Sequence, residues 1–312
     1  MNSILKISGL VFGVLCCHTL WAANTDQIAL LRWYSANQSV TLQTKNYPIA
    51  MAFDGNHLWV VNHFDNTVSK VQASDGKVLG SFAVGNRPTH VAYDGANVWV
   101  TNSLDNTVTK LRASTGALLN TFPVGMTPWS IAFDGSNMWV ANYDGNTVSK
   151  LRANDGASLG TFPVGINPLA VAFDGTNIWV ANAGADTVSK MRASDGAPRG
   201  TFAVGQRPAG LAFDGMHMWV ANNVSNTVSK LRASDGAVLD TFNARGSETR
   251  GLVFDGNNIW VSNFRTGVTK LRASDGAVLK LIPLGNNGTR GGVFDGANVW
   301  VPNSDNDTMS KL

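Results

Sequence analysis

The residue types that could carry out chemistry are few in this sequence, and histidine is the first to consider. Beyond residue 23 the chain contains four histidines, His57, His63, His90 and His217. An imidazole can act as a general base or as a metal ligand near neutral pH. His63 and His90 are candidates for either role, but two histidines without a clear third ligand fall short of a metal-site signature. We therefore predict no metal and no cofactor.

Arginines and aromatic residues form a second set whose chemistry suits binding. A guanidinium binds carboxylates and phosphates through paired N–H donors, and an aromatic ring offers an apolar face. This combination predicts a site for an anionic ligand that has an apolar or ring-bearing part. The candidate binding residues, with the two histidines included, are His63, His90, Trp129, Tyr143, Arg250, Phe264, Arg265 and Arg290.

Signals for covalent or acid–base catalysis are weak. The sequence contains no nucleophile elbow and no phosphate-binding loop. Glu248 is the one Glu among 21 acidic residues, and nearly all the aspartates stand in turn or loop contexts, where they bond to backbone groups. No pair of catalytic carboxylates can be singled out, so no catalytic residue is assigned.

The elements that must position these residues are internal repeats. An aromatic-Asp-Gly triplet recurs at intervals of 40 or 41 residues, with a Trp and then an Asn at fixed distances behind it. The aromatic residues are Phe53, Tyr93, Phe133, Phe173, Phe213, Phe254 and Phe294. In the fifth copy, apolar runs and turn signals predict strands at 208–213, 218–221, 227–233 and 238–242. Four antiparallel strands per unit predict an all-β, seven-bladed β-propeller.

The two ends of the chain predict how the ring closes. The last copy stops after its third strand, and residues 37–44 align with a fourth strand. We expect this N-terminal strand to complete the last blade, because closure removes two exposed sheet edges. Residues 27–33 also align with a third strand, which leaves the division at the seam open.

Repetition also separates architecture from function. A residue present in all seven copies, such as the Trp, the Asn or the Asp of the triplet, is assigned to architecture. The candidate binding residues stand where the copies differ, in the loops that enter the first strand and join the second and third strands. Strands alternate in direction, so these loops share one face, the variable face. Two alternatives remain open: solvated loop residues, or arginines paired with Asp144, Asp305 and Asp307.

The segments around the repeated Trp resemble a known family. The run 99–102 reads Trp-Val-Thr-Asn, its copies read Trp-Val-Ala-Asn, and Asn-Thr-Val-Ser-Lys follows. This pattern resembles the YVTN (YncE-like) repeat over about residues 28–312, with Phe-Asp-Gly where that family has Pro-Asp-Gly. The resemblance implies a propeller related to NHL-repeat, lactonase and streptogramin-lyase-like propellers. It does not select a function, because these propellers include enzymes and non-catalytic binding proteins.

The N-terminus predicts export. Lys6 precedes an apolar run that ends at Trp21, and Ala22-Ala23 is a plausible cleavage point, so residues 1–23 are predicted to be a signal peptide. The alternative is a membrane anchor, but the run is shorter than the ~20 residues that a spanning helix needs. Residues 24–312 would then be one propeller, periplasmic or secreted. Both cysteines, Cys16 and Cys17, lie in the predicted signal.

The net charge of the chain bears on which classes of partner it can bind. The formal net charge of +3 is spread over the repeats, which gives no basis for nucleic-acid binding. We expect a monomer whose partner is a small anionic ligand or a protein. The favoured function is non-enzymatic binding at the variable face of the central channel. The alternative is a small-molecule lyase or lactonase that uses His63 or His90 as a base in an axial pocket.

Overall fold

The computed structural model describes residues 40–285 and 287–312, and within them it confirms the predicted architecture. Seven four-stranded antiparallel sheets follow one another along the chain, and each sheet is one blade. The predicted signal peptide, its cysteines and residues 27–33 lie outside the described residues. No helix in the described part of the chain has the length and apolar character needed to cross a membrane.

Strand bounds repeat almost without change from blade to blade. Blades 1 and 2 are β2 (Pro48–Phe53), β3 (His57–Asn62), β4 (Thr67–Gln72), β5 (Val78–Ala83) and β6 (Pro88–Tyr93), β7 (Asn97–Asn102), β8 (Thr107–Arg112), β9 (Leu118–Pro123). Blades 3 and 4 are β10 (Pro128–Phe133), β11 (Asn137–Asn142), β12 (Thr147–Arg152), β13 (Ser158–Pro163) and β14 (Pro168–Phe173), β15 (Asn177–Asn182), β16 (Thr187–Arg192), β17 (Pro198–Ala203). Blades 5 and 6 are β18 (Pro208–Phe213), β19 (His217–Asn222), β20 (Thr227–Arg232), β21 (Val238–Asn243) and β22 (Thr249–Phe254), β23 (Asn258–Asn263), β24 (Gly267–Arg272), β25 (Val278–Pro283). Blade 7 is β26 (Val293–Phe294), β27 (Val299–Asn303), β28 (Thr308–Lys311) and, from the N-terminal end, β1 (Val40–Gln43), with a 3-10 turn at Ser304–Asn306.

Burial follows the position of a strand within its blade. The second strands are buried on both faces, as the uninterrupted apolar run around each Trp predicted. The fourth strands expose most of their residues and form the outer edge of the ring. First strands of neighbouring blades lie against each other at the centre. The centre of the ring is therefore lined by the residues that begin each blade.

The seam is closed by β1, which confirms the predicted N-terminal strand over Val40–Gln43; residues 37–39 of the predicted segment lie outside the described residues. β1 lies beside β28, and the N–H of Thr44 donates to the carbonyl of Asp307 at 2.7 Å. Leu42 lies against Gly76 where Phe82 lies against Gly116 one blade later. The N-terminal strand thus repeats the blade-to-blade contact of the other fourth strands.

The repeated Asp and Trp are structural, as predicted. In every blade the indole N–H of the Trp donates to the carboxylate of the Asp, at distances from 2.7 to 2.9 Å. The same carboxylate accepts backbone N–H groups of its own turn, as Asp174 does from Thr176 and Asn177. His57 and His217 bond to Asp54 and Asp214 in the equivalent turns, so they belong to the architecture.

These aspartates predict sensitivity to acid. Burial by itself would raise the pKa of Asp174, but the indole of Trp179 and the turn N–H groups outweigh it, so the pKa lies below its ordinary value. A lowered folded-state pKa gives stability that is present above the unfolded value, near 4, and lost as pH falls through the folded value. We expect Asp174→Asn to cost about 1–2 kcal/mol of unfolding free energy at pH 7. That cost should shrink towards pH 3 in denaturant titrations; a cost independent of pH would contradict this account.

Two glycines in one blade offer a matched test of blade packing. Gly156 and Gly135 both have positive φ, so an alanine is strained at either position. A Cβ on Gly156 would lie 2.0 Å from the Phe122 ring of the neighbouring blade, whereas a Cβ on Gly135 would meet nothing within 4 Å. We expect Gly135→Ala to cost ~1–2 kcal/mol and Gly156→Ala a further ~1–3 kcal/mol, measured by chemical denaturation. Equal costs for the two variants would show that the Phe122 ring can move away from the added Cβ without loss of stability.

Candidate functional site

A cavity of about 480 Å³ lies at the centre of the ring on the variable face, and we call it the axial cavity. Its volume falls in the ~300–1,000 Å³ range of small-molecule sites. Each blade contributes the first residue after its Pro48-equivalent position to the wall. These seven residues are Ile49, Thr89, Trp129, Leu169, Ala209, Arg250 and Arg290. The wall is therefore asymmetric, with an aromatic residue on blade 3 and cations on blades 6 and 7.

An unusual backbone conformation holds the rim of the cavity. The residue before each Pro48-equivalent position has a positive φ, and in six of the seven blades it is not glycine. Those six are Tyr47, Arg87, Thr127, Asn167, Arg207 and Glu248. Each donates its N–H to an Asn or Asp side chain of the preceding blade, as Arg207 does to Asp186 at 2.7 Å. A left-handed backbone conformation costs ~1–2 kcal/mol at each of these residues, and the hydrogen bond offsets part of that cost. The conformation turns side chains of different types towards the mouth of the cavity.

Arg290 is the most distinctive cation at the axial cavity. Its Nε donates to Ser304 Oγ at 3.0 Å and its Nη2 donates to Tyr47 OH at 2.8 Å. No described carboxylate lies within 4.0 Å of this guanidinium, which is half-buried. Burial lowers the pKa of Arg290, and the charge of Arg250 lowers it further. Arg290 therefore places in the cavity wall a positive charge that forms no ion pair with a described carboxylate.

Arg250 stands beside Arg290 but has a carboxylate partner. Its Nη2 donates to Glu248 Oε2 at 2.9 Å, and the other Glu248 oxygen accepts from Arg265 Nε at 2.6 Å. Both cavity arginines lie near the ring of Phe264, whose centroid is 4.3 Å from Arg250 Cζ and 5.0 Å from Arg290 Cζ. A guanidinium over an aromatic face is stabilised by the ring quadrupole. Phe264 thus supports two like charges at one wall.

The aromatic wall lies on blade 3. Trp129 and Tyr143 are both half-buried, their ring centroids are 5.9 Å apart, and both line the axial cavity. Arg207 lines the cavity between this wall and the arginines of blades 6 and 7. An anionic group at the arginines could therefore place an apolar ring against Trp129.

The two histidines have different surroundings. His90 lines the axial cavity, its Nδ1 is buried without a partner, and burial lowers its pKa to about 4, so its ring is neutral at pH 7. His63 does not line the cavity: its Nδ1 donates to the carbonyl of Pro88 at 2.8 Å and its Nε2 accepts from Arg87 at 3.3 Å. Burial lowers the pKa of His63 as well, and Arg87 and Arg290 add to this. Of the two candidate histidines, only His90 therefore lies in the axial cavity.

The structure brings five of the eight candidate residues to the axial cavity, namely His90, Trp129, Tyr143, Arg250 and Arg290. The alternative that the arginines pair with Asp144, Asp305 or Asp307 is wrong: among the described residues, Glu248 is the carboxylate that pairs with Arg250 and Arg265. Phe264, a candidate binding residue, does not line the cavity, because it is buried beneath the arginines. That these residues bind a ligand stays a prediction.

Three participants were missed: Tyr47, Arg207 and Ser304. Tyr47 and Arg207 occupy the rim position before the Pro48-equivalent residue, which varies among the copies as strongly as the positions that were considered. Comparing the copies at the residue just before the Pro48-equivalent position would have identified both residues. Ser304 stands at a position that varies among the copies, but only the structure shows that its hydroxyl accepts a hydrogen bond from Arg290. Among the described residues, no group of three or more His, Cys, Asp or Glu side chains is arranged to hold a metal ion.

Comparison with known proteins agrees on the fold. No protein-family model matches the sequence, and no curated protein sequence matches it. A structure of catalytically inactive virginiamycin B lyase from Staphylococcus aureus with quinupristin has a TM-score of 0.76, with 16% identity over 88% of this chain and 98% of the lyase.

Two further solved structures are about as similar. Hydrazine synthase from Kuenenia stuttgartiensis has a TM-score of 0.76, with 17% identity over 86% of this chain and 96% of the other. A streptogramin B lyase structure has a TM-score of 0.73, with 16% identity over 88% and 97% of the two chains. At these identities the likeness shows the fold alone. The chain is therefore a seven-bladed β-propeller, and its fold is similar to those of these three proteins.

Proposed function

We propose that this chain is a non-enzymatic binding propeller that captures a small organic anion in the axial cavity. The anionic group would bind Arg290 and Arg250, and an attached ring or apolar part would lie against Trp129 and Tyr143. We further propose that the protein is exported, that it acts as a monomer in the periplasm or outside the cell, and that its repeat is of the YVTN type.

One observation carries the proposal: the half-buried guanidinium of Arg290 has no described carboxylate within 4.0 Å. Charges removed from water are ordinarily paired, because an unpaired charge in a poorly solvated site is costly. The hydrogen bonds that the guanidinium donates to Ser304 and Tyr47 orient it but do not neutralise its charge. A carboxylate or phosphate entering the cavity would supply the missing charge in paired hydrogen bonds.

A thermal-shift screen of the full chain tests this function. We would compare benzoate, phenylacetate and phenyl phosphate with acetate and with the cation benzylamine. A ligand present at 100 times its Kd stabilises the folded state by ~2.7 kcal/mol, so we expect the melting temperature to rise by about 5 °C. Aryl anions should act more strongly than acetate, and benzylamine should have no effect. Equal shifts with the cation, or none with any anion, would refute anion binding.

The second candidate is a lyase that acts in the same cavity. It is supported by His90, a neutral imidazole in the cavity wall, and by the likeness in fold to a lyase whose histidine-to-alanine variant is catalytically inactive. A pKa of about 4 makes His90 a weak base at neutral pH, which favours the binding proposal.

Turnover of quinupristin, followed by mass spectrometry, discriminates the two candidates. A lyase should produce a linear product at a rate that His90→Ala abolishes. Ring opening by elimination leaves the mass unchanged, so the linear product is recognised by its chromatographic retention time and its fragment ions. A substrate peak unchanged in both after prolonged incubation would leave binding as the function, while turnover that survives His90→Ala would place the chemistry elsewhere.

A further inference from the structure

The variable face carries a second pattern that the anion site does not use. Each blade has two loop positions outside the cavity wall: the residue two before the Pro48-equivalent position and the residue two after the repeated Asn. In blades 2, 4, 5 and 7 a backbone hydrogen bond joins this pair of positions. In blade 2 the N–H of Leu104 donates to the carbonyl of Asn86, and in blade 5 that of Val224 donates to Gln206. In blade 4 the pair is Gly184 with Ile166.

In each of blades 1 to 5 one member of this pair is a large exposed apolar residue. We call the set the apolar rim: Phe64, Leu104, Met126, Ile166 and Val224, between 45% and 68% exposed. Blades 6 and 7 carry Arg265 and Asp305 at the corresponding positions. In the described loops of the opposite face, Met216 is the one exposed large apolar side chain. The apolar rim is thus confined to the face with the axial cavity and to the arc that faces the arginines.

The spacing of the rim indicates what kind of molecule fits it. Its apolar side chains are separated by groups that can form hydrogen bonds, among them Asn86, Asp144 and Gln206. A lipid tail requires continuous apolar surface, whereas an extended peptide presents apolar side chains and amide groups in alternation. The arginines at the cavity require a negative charge at the end of that peptide.

We propose that the natural ligand is a protein C-terminus, which inserts its carboxylate at Arg290 and Arg250 and lays apolar side chains across the apolar rim. This inference rests on the anion-binding function proposed above and extends it to a partner larger than the cavity. Aromatic and apolar anchors next to a buried charge pair are the features that dominate binding energy at protein interfaces.

The test uses the immobilised full chain and a pool of N-acetylated hexapeptides. The last four positions vary among Leu, Phe, Val, Ser and Asn, and the pool is made once as free acids and once as C-terminal amides. Retained peptides are identified by mass spectrometry. We expect free acids with two or more apolar residues to be retained, and their amides to bind at least tenfold more weakly.

Matched variants separate the rim from the cavity. The triple variant Leu104→Asn, Met126→Asn, Ile166→Asn should weaken the best peptide by about tenfold or more, and Met216→Asn on the opposite face should not change it. Benzoate should still raise the melting temperature of the triple variant, which shows that its ring is folded.

Each other result has a defined meaning. Equal retention of acids and amides would overturn the proposal, as would equal retention of free acids that carry only Ser and Asn at the varied positions. If no peptide is retained while benzoate still stabilises the chain, the C-terminus proposal fails and the anion-binding function stands. If benzoate also fails, both fall.

Discussion

A chain that begins at Lys45 should lose the stable monomeric ring, whereas a chain that begins at Val40 should keep it. The first variant lacks β1, which completes blade 7, and the second retains it. Leu42 is half-buried, so its burial is worth roughly half of the ~1.5–3 kcal/mol of a fully buried leucine, and each strand hydrogen bond adds ~1 kcal/mol. Their sum is a large share of the 5–15 kcal/mol typical of a folded domain. The freed edge of β28 also becomes a template for pairing with another chain.

The two truncations should differ in size-exclusion chromatography and thermal melting. We expect the chain from Val40 to elute as a monomer and to melt close to the full-length protein. The chain from Lys45 should form larger species and melt many degrees lower. Leu42→Gln keeps the backbone bonds and removes the contact with Gly76, so it should fall between them. Identical melting of the two truncations would show that the ring does not depend on β1.

Replacing both cavity arginines, Arg250→Gln with Arg290→Gln, should abolish binding of an aryl carboxylate. A hydrogen bond to a charged group is worth ~1.5–3 kcal/mol, so each arginine accounts for about a 10- to 150-fold change in Kd. The double variant should therefore bind at least ~100-fold more weakly, beyond the range of a millimolar titration. Calorimetric titration with benzoate measures this directly.

Two controls separate charge from loop structure. Arg152→Gln with Arg232→Gln removes two exposed, carboxylate-paired arginines from the hairpins of the opposite face and should leave Kd unchanged. Glu248→Gln removes the carboxylate partner of Arg250 and Arg265 but keeps both cations, so binding should be retained. Unchanged affinity in the cavity double variant would refute the site. Loss of binding in Glu248→Gln would show that binding depends on the structure of the loop that contains Glu248, and not on the charges of the arginines alone.

The fold could be read from the sequence because one unit is repeated seven times and each copy carries its own turn signals. The second strand of the fifth copy was predicted at 218–221 and runs over His217–Asn222, a typical difference at strand ends. The seam followed from the missing fourth strand of the last copy. These features depend on a local sequence pattern, and the same pattern is present in every copy of the repeat.

The details of the site depend on contacts between residues that are far apart in the sequence. Comparing the repeats with one another does not predict such contacts. Arg, Thr, Tyr and Glu rarely adopt positive φ, so nothing at Arg207 or Glu248 indicates the left-handed backbone that aims the rim. Blade 6 has a longer entry loop and a shorter loop between its second and third strands than blade 5, and there Phe264 is buried beneath two guanidiniums. The choice of Glu248 over three aspartates as the arginine partner follows from that local geometry.

Tyr47 stands near the start of the propeller, and Arg290 and Ser304 stand near its end. Its hydroxyl accepts from Arg290, and its N–H donates to the side chain of Asp307. The proposed anion site is therefore assembled from residues on both sides of the seam, and a nascent polypeptide cannot form it until the last blade has been synthesised and joined. Proteolytic removal of β1 together with Tyr47, or of blade 7, would remove part of the site along with the closure, so capture of the anion would report a closed ring.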